Sequence, residues 1–154
     1  RIVQAAQAYQ LLLTVQGTTP TDRKLLVVGD INSDPRDEIL SVPPPLQLLL
    51  GTDVIVPPYL QFSLAQFTDA WTLRPGANTG HGAPLVGFSC CQDEDLGNHQ
   101  SAHYERIDII FSWTRPQRVQ NARLLGESIA DKTWPKGLGL WPSDHSSVAA
   151  QLQY

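Results

Sequence analysis

The chain has 154 residues, of which 42% are hydrophobic and 17% charged, and this composition is typical of one soluble globular domain. Its formal net charge of −4 and isoelectric point of about 5.4 argue against a broad basic surface for nonspecific nucleic-acid binding. No apolar run approaches the ~20 residues that cross a bilayer, so we expect no transmembrane segment. The sequence has no Met and opens without a signal pattern, which is typical of a segment of a longer precursor.

The first half of the sequence predicts a helix, a buried strand and then only short elements. Ile2, Ala5, Ala6, Leu12 and Val15 recur at helical spacing, and a glycine at position 17 is a natural end for that helix. Four apolar residues at 25–28 fit a fully buried strand. Prolines at 43–45, 57 and 58 then confine regular structure to short segments. Two aromatic residues in PPYLQF, Tyr59 and Phe62, either contact lipid or, as we expect, pack inside.

The second half predicts a short element, a loop and three strands. FTDAW, at residues 67–71, suits a short element, and the glycine-rich residues 73–84 suit a surface loop. Strands are predicted in RIDIIFSW from Arg106, in QRVQNARLLG from Gln117 and in the closing SSVAAQLQY. The sequence shows no internal repeat and no linker, in agreement with one unit over residues 1–154.

The two cysteines, Cys90 and Cys91, are adjacent. Across a trans peptide their Cα atoms would lie ~3.8 Å apart, short of the ~4.4–6.8 Å of a relaxed disulfide. They would therefore pair with each other only under strain. Two small half-buried thiols, or a bond to a cysteine elsewhere, are also compatible with the sequence. No second Cys or His pair stands at zinc-ligand spacing.

Three histidines, His81, His99 and His103, lie in the polar region between residues 78 and 104. Histidine in such a loop is most often a solvated surface residue. A second metal site built from them would need a carboxylate from Asp93, Glu94 or Asp95, and we do not expect one.

Three short segments carry polar side chains that suit phosphate chemistry. The first, GDIN, ends the first predicted strand. Its glycine lets the backbone turn, and the alternation of side chains along a strand directs the acid and the amide to the same side. The second, RID, opens an apolar strand, and the third, SDH, lies in a loop before the final strand. The candidate site residues are Asp30, Asn32, Asp108, Asp144 and His145.

Each segment also has an ordinary structural explanation. Asp30 and Asn32 would form a turn by bonding the local backbone. Arg106 and Asp108 would form a salt bridge on a solvated face, and the Asp-His pair before the last strand would be a cap or a surface pair. The joint occurrence of the three segments, each at the end of a strand, favours the chemical interpretation.

The three segments resemble motifs of the endonuclease/exonuclease/phosphatase superfamily, which includes the deoxyribonuclease I-like enzymes. GDINS is similar to its Gly-Asp-x-Asn motif, ERIDIIF to its Arg-Ile-Asp-Tyr-Ile motif and SDHSSV to its closing Ser-Asp-His-x-x-Val motif. The opening helix, with Arg1 and Gln4, is similar to the helix that precedes the family's first motif. FTDAW and the CCQ segment also resemble bacterial members, which is compatible with secretion, although the compartment stays open. The resemblance is to the C-terminal half of the domain and covers nearly the whole chain.

The resemblance implies an α/β (α+β) fold: a four-layered sandwich of two mixed β-sheets flanked by helices, of which this chain supplies about half. It implies Mg²⁺-dependent attack of water on a phosphoester, with Mn²⁺ or Ca²⁺ as alternative metals. Nucleic acid, a phospholipid head group and an inositol phosphate stay open as substrates. The acidic charge argues slightly against duplex DNA.

The resemblance also gives each site residue a role. Asp30 would orient or deprotonate the attacking water and, with Asp144, bind the metal. Asn32 would donate its amide to the phosphate. His145 would contact the phosphate as an imidazolium or a proton donor, while Asp108 accepts the other ring N–H and holds the ring.

The family's N-terminal half supplies the principal Mg²⁺-binding Glu, an early Asn and a further His, and none of these is matched here. The glutamates of this chain, at 38, 94, 105 and 127, lie outside a matching context. We therefore expect an inactive isolated chain and an N-terminal half that is present as another chain or segment. An exposed apolar sheet face would accompany that arrangement. The alternative function is a non-catalytic fragment or degenerate binding module that keeps the fold without the metal.

Overall fold

The computed structural model describes residues 1–20, 23–75, 87–133 and 139–154. The predicted mixed α/β class is confirmed, because three helices accompany several small antiparallel sheets. The helices and strands are α1 (Ile2–Thr18), β1 (Leu26–Asp30), β2 (Leu40–Ser41), α2 (Pro44–Leu50), β3 (Val54–Ile55), α3 (Pro58–Leu64), β4 (Thr68–Asp69), β5 (Asp108–Ser112), β6 (Arg118–Leu125) and β7 (Ser147–Gln153). Short 3₁₀ helices cover Ala70–Leu73 and Ile129–Asp131.

The predicted helix and strands are present with shifts of one or two residues at their ends. The proline-rich region contains only short elements, as predicted, because Pro44 and Pro58 each open a seven-residue helix. The left-handed backbone at Gly51, with φ of 67°, ends α2. Most of the predicted glycine-rich loop, residues 76–84, lies outside the described residues. In the part of the chain that is described, no helix is both long and apolar enough to cross a membrane.

The central sheet has the strand order β1-β5-β4, and both strand pairs are antiparallel. In its register Val27 lies opposite Phe111 and Asp30 lies opposite Asp108. Two further sheets, β2-β3 and β6-β7, are two-stranded and antiparallel. The described strands pair only in the antiparallel sense, so the mixed sheets that the resemblance implies are not seen among them.

The hydrophobic core covers one face of the central sheet. Phe111 is fully buried and its ring stacks on that of Phe62, with centroids 4.9 Å apart. Ala8 and Leu12 of α1 and Ile109 of β5 complete this cluster, so α1 and α3 both lie on the same side of the sheet. Since Phe62 belongs to this buried cluster, it packs inside, as we expected, and does not contact lipid.

The expectation that residues 25–28 form a fully buried strand is wrong. Leu26 is 45% exposed and Val28 63% exposed, whereas Val27 packs against the core. Side chains alternate between the two faces of a strand, so the helices cover Val27 while Leu26, Val28 and Asp30 share the opposite face. Half of this apolar strand is therefore open to solvent, on the face that also carries the first candidate site residue.

Arg106 is buried and forms no surface salt bridge with Asp108, so the ordinary structural alternative for these two residues is wrong. Its guanidinium lies 2.7 Å from the carboxylate of Asp69, and both side chains are less than 5% exposed. The Asp69 carboxylate also accepts hydrogen bonds from the hydroxyl of Tyr59 and the backbone N–H of Trp71. The guanidinium lies over the Tyr59 ring, 5.6 Å from its centroid. This interior network joins FTDAW to the segment that leads into β5.

We predict that Arg106→Ala lowers the free energy of unfolding by about 3–5 kcal/mol, because it leaves the Asp69 carboxylate buried without its cation. Urea denaturation measures the change. Arg118→Ala, at an exposed position of β6, is the control and should change stability by less than about 0.5 kcal/mol. Equal stability of the two variants would show that the ion pair is not needed to hold the fold.

Candidate functional site

The end of β1 presents an acid and an amide together. Gly29 has φ of +146°, a conformation that other residues rarely adopt, and Asn32 is left-handed with φ of 50°. The backbone N–H of Asn32 donates to Asp30 Oδ1 at 2.7 Å, and its side-chain Nδ2 lies 3.4 Å from Asp30 Oδ2. The ordinary turn contact is therefore present, and it also holds the two exposed side chains on one side.

A hydrogen bond joins two segments that are far apart in sequence. Asp108 lies directly opposite Asp30 in the β1-β5 register, so both carboxylates are on the same face of the sheet. His145 Nδ1 lies 2.8 Å from Asp108 Oδ2, and both side chains are partly exposed. The predicted contact between Asp108 and His145 is therefore present, and the histidine's Nε2 is the ring nitrogen left for another partner.

The surroundings of His145 favour its charged form. Burial lowers its pKa, but the hydrogen bond and charge of Asp108, together with the charges of Asp144 and Asp30, outweigh that and raise the pKa above the ordinary 6.5. The contact of charged His145 with Asp108 therefore makes its whole contribution to folding stability below pH 6.5. That contribution is lost as the pH rises through the raised pKa of His145.

The third motif brings Asp144 close to the same group. Its side chain is exposed, and its backbone carbonyl accepts a hydrogen bond of 3.0 Å from the N–H of Gln92. Its charge acts on His145, as does that of Asp30. The three sequence motifs are therefore neighbours in the fold, around the open face at the end of β1 and the start of β5.

Residues 89–92 lie between the segment that leads into β5 and the segment that carries His145. Cys90 forms isolated antiparallel bridges with Glu105 on one side and His145 on the other. Cys90 and Cys91 are bonded to each other, which is one of the three alternatives that the sequence left open. A spacing of ~3.8 Å holds for a trans peptide. The peptide between these two residues is cis, and their Cα atoms lie 3.2 Å apart.

Sequence reasoning missed two residues that contribute to the site's framework. Asp34 is buried, accepts the backbone N–H of Arg106 at 2.8 Å and pairs with Arg36, so it ties the loop after β1 to the segment before β5. His103 Nδ1 lies 3.3 Å from Ser146 Oγ. Burial, and then the charge of His145, lower the pKa of His103. The only signal for Asp34 was the turn-forming sequence SDPRD.

Among the described residues, no three His, Cys, Asp or Glu side chains form a group that could hold a metal ion. The structure thus offers no support there for a metal site built on His99 and His103, and His81 lies outside the described residues. Comparisons of the chain with protein-family models, curated proteins and solved structures find no match. The case for a function therefore comes from the geometry and the motifs.

We predict that Asp108→Asn lowers the pKa of His145, because it removes the nearest negative charge while almost conserving the side chain's shape. NMR titration of the His145 ring protons measures the change. The control is Asp53→Asn, at an exposed position between α2 and β3, which should leave the titration unaltered. An unchanged His145 pKa in Asp108→Asn would mean that the contact contributes nothing to the charged form.

Proposed function

We propose that the protein is a metal-dependent phosphoester hydrolase of the endonuclease/exonuclease/phosphatase superfamily, and that this chain is the C-terminal half of its domain. The observation that carries the proposal is the 2.8 Å contact of His145 with Asp108, on the sheet face that also holds Asp30. Residues from three distant motifs contribute to that one group. A charged imidazole, an amide and two exposed carboxylates are the groups that phosphate-ester hydrolysis uses.

Each residue has a role in this proposal that its position supports. Asp30, exposed beside Asn32, orients the attacking water or takes its proton. Asn32 donates its amide N–H to a phosphate oxygen. His145 presents Nε2 to the phosphate, because Asp108 holds the ring through Nδ1 and favours its protonated form. Such fixed donors stabilise charge that develops on the phosphate oxygens in the transition state.

Asp30 and Asp144 are the residues that would hold Mg²⁺, or Mn²⁺ or Ca²⁺ in its place. Their exposed carboxylates are the hard oxygen ligands that these cations prefer. When bound, the cation would neutralise negative charge on the phosphate and polarise its oxygens. Two carboxylates supply only part of the protein ligands that such a cation can take. This agrees with a further ligand supplied from outside residues 1–154.

The exposed face of β1 supports a second half of the domain. Leu26 and Val28 share the face of Asp30, and no described element covers them. An apolar surface of this kind is more often an interface than a permanently wet face. In the proposal an N-terminal half packs here, completes the four-layered sandwich and brings a metal-binding glutamate to Asp30. Nucleic acid, a phospholipid head group and an inositol phosphate all remain candidate substrates.

One observation favours a second candidate, a binding module without catalysis. The described residues hold no cluster of three metal-binding side chains, and a surface that only binds phosphate needs no such cluster. A phosphoester hydrolase and a phosphate-binding module differ in one measurable respect, which is turnover in the presence of Mg²⁺.

We predict that the full-length protein hydrolyses bis(p-nitrophenyl) phosphate, or a nucleic-acid, phospholipid or inositol phosphate substrate, with Mg²⁺ and not with EDTA. Asp108→Asn should lower kcat by about 10- to 100-fold, since it removes the group that orients and charges the imidazole. His145→Ala should lower kcat at least as much, by about 10²- to 10⁴-fold, since it removes the proton donor itself.

Asp53→Asn is the matched control for charge and should keep wild-type turnover. Circular dichroism of each variant shows whether the fold is retained. An Asp108→Asn protein with wild-type turnover across the pH range would remove this residue from the mechanism. Binding of phosphate without turnover of any substrate would favour the binding module.

We also predict that residues 1–154 alone bind Mg²⁺ weakly, with a Kd of about 1 mM, because two carboxylates leave most of an octahedral shell to water. Isothermal titration calorimetry measures this affinity. The double variant Asp30→Asn, Asp144→Asn should remove the binding, whereas Asp53→Asn should not. Micromolar affinity in the isolated chain would disagree with an incomplete site.

A further inference from the structure

Ser89 lies between the start of β5, which carries Asp108, and the segment before β7, which carries His145. Its side chain is fully buried, at 0% exposure, and belongs to none of the three motifs. Its Oγ accepts the backbone N–H of Asp108 at 3.1 Å, and its carbonyl oxygen accepts the backbone N–H of Ser146 at 2.7 Å. One residue therefore bonds the backbone on both sides of the Asp108–His145 contact.

The neighbours of Ser89 continue the same connection. The backbone N–H groups of Ser89 and Cys90 both donate to the carbonyl of Glu105, at 2.8 and 3.1 Å. The N–H of Gln92 donates to the carbonyl of Asp144 at 3.0 Å. These are backbone contacts that many side chains would permit at those positions. The bond to Asp108 is different, because it needs the Ser89 hydroxyl.

A distance of 2.8 Å between two partly exposed side chains needs a rigid base on each side. Asp108 is the first residue of β5, and its backbone N–H donates to the Ser89 hydroxyl. The Ser89 hydroxyl thus holds the start of β5, and the Ser89 carbonyl holds the residue that follows His145. The geometry points to Ser89 as the positioning residue that sets Asp108 against His145.

The role of Ser89 in turnover rests on the proposed function, while its role in the Asp108–His145 contact does not. The test is Ser89→Ala in the full-length protein, with NMR detection at fixed pH of the hydrogen-bonded proton on His145 Nδ1. We expect loss of that resonance, faster exchange of the Asp108 amide and a kcat that falls about 10- to 100-fold at unchanged KM. The amide of Phe111, inside β5, should keep its protection.

Ser112→Ala is the matched control. Ser112, like Ser89, is fully buried, but it lies at the other end of β5, where its Oγ bonds the Thr114 carbonyl and the Tyr154 hydroxyl. The Ser112→Ala protein should lose about as much stability as the Ser89→Ala protein, but it should keep the resonance of the proton on His145 Nδ1. Survival of the resonance in Ser89→Ala, or its loss in both variants, would overturn the positioning role.

A measurement on the wild-type protein covers the case in which Ser89→Ala does not fold. Both amides that bond Ser89, those of Asp108 and Ser146, should exchange slowly with solvent, and free exchange of either would also overturn the role. If no phosphoester is hydrolysed but only Ser89→Ala loses the His145 resonance, the proposed hydrolysis fails and the positioning role stands. If hydrolysis is found and the resonance survives, the positioning role alone fails.

Discussion

The buried ion pair of Arg106 with Asp69 is the interaction on which the site's framework depends. A guanidinium leaves water only where an opposite charge compensates it, and here the Asp69 carboxylate does so, while the face of the Tyr59 ring lies against the guanidinium. The Tyr59 hydroxyl in turn donates to the carboxylate. Arg106 lies two residues before Asp108, so the ion pair fixes the chain where β5 begins. The backbone of Arg106 is held a second time, by Asp34 from the loop after β1. These two anchors fix the chain where β5 begins, and the Ser89 hydroxyl then holds the backbone of Asp108 itself.

The two faces of the central sheet have different roles, one in the hydrophobic core and one in the candidate site. On one face, Ile109 and Phe111 pack against α1 and α3 and supply the core. On the other face, Asp30 and Asp108 lie opposite each other, beside the exposed Leu26 and Val28. Because alternate residues of a strand point to opposite faces, the strands can be anchored by one set of side chains while the other set stays accessible. The polar group at this edge is therefore presented from a rigid base.

Local pattern predicted much of this structure. Helical spacing located α1, and apolar runs located β1, β5 and β7. The motifs also predicted the contact of His145 with Asp108. The sequence could not show that Arg106 is buried, because its partner is 37 positions earlier and local charge made Asp108 look like the nearer choice. Nor could it show the role of Ser89, since a serine outside every motif has no signal until the fold brings it between the start of β5 and the segment before β7. The exposure of Val28 was missed because an apolar residue does not reveal whether its face is covered.

The most direct measurement of the central claim is a crystal structure of the full-length protein with Mg²⁺ and a non-hydrolysable phosphodiester. The account predicts a metal ion on the carboxylates of Asp30 and Asp144. It also predicts a phosphate contacted by Asn32 and by His145 Nε2, with His145 Nδ1 still bonded to Asp108. A phosphodiester bound away from these residues, or a His145 ring turned away from Asp108 in the complex, would contradict the account.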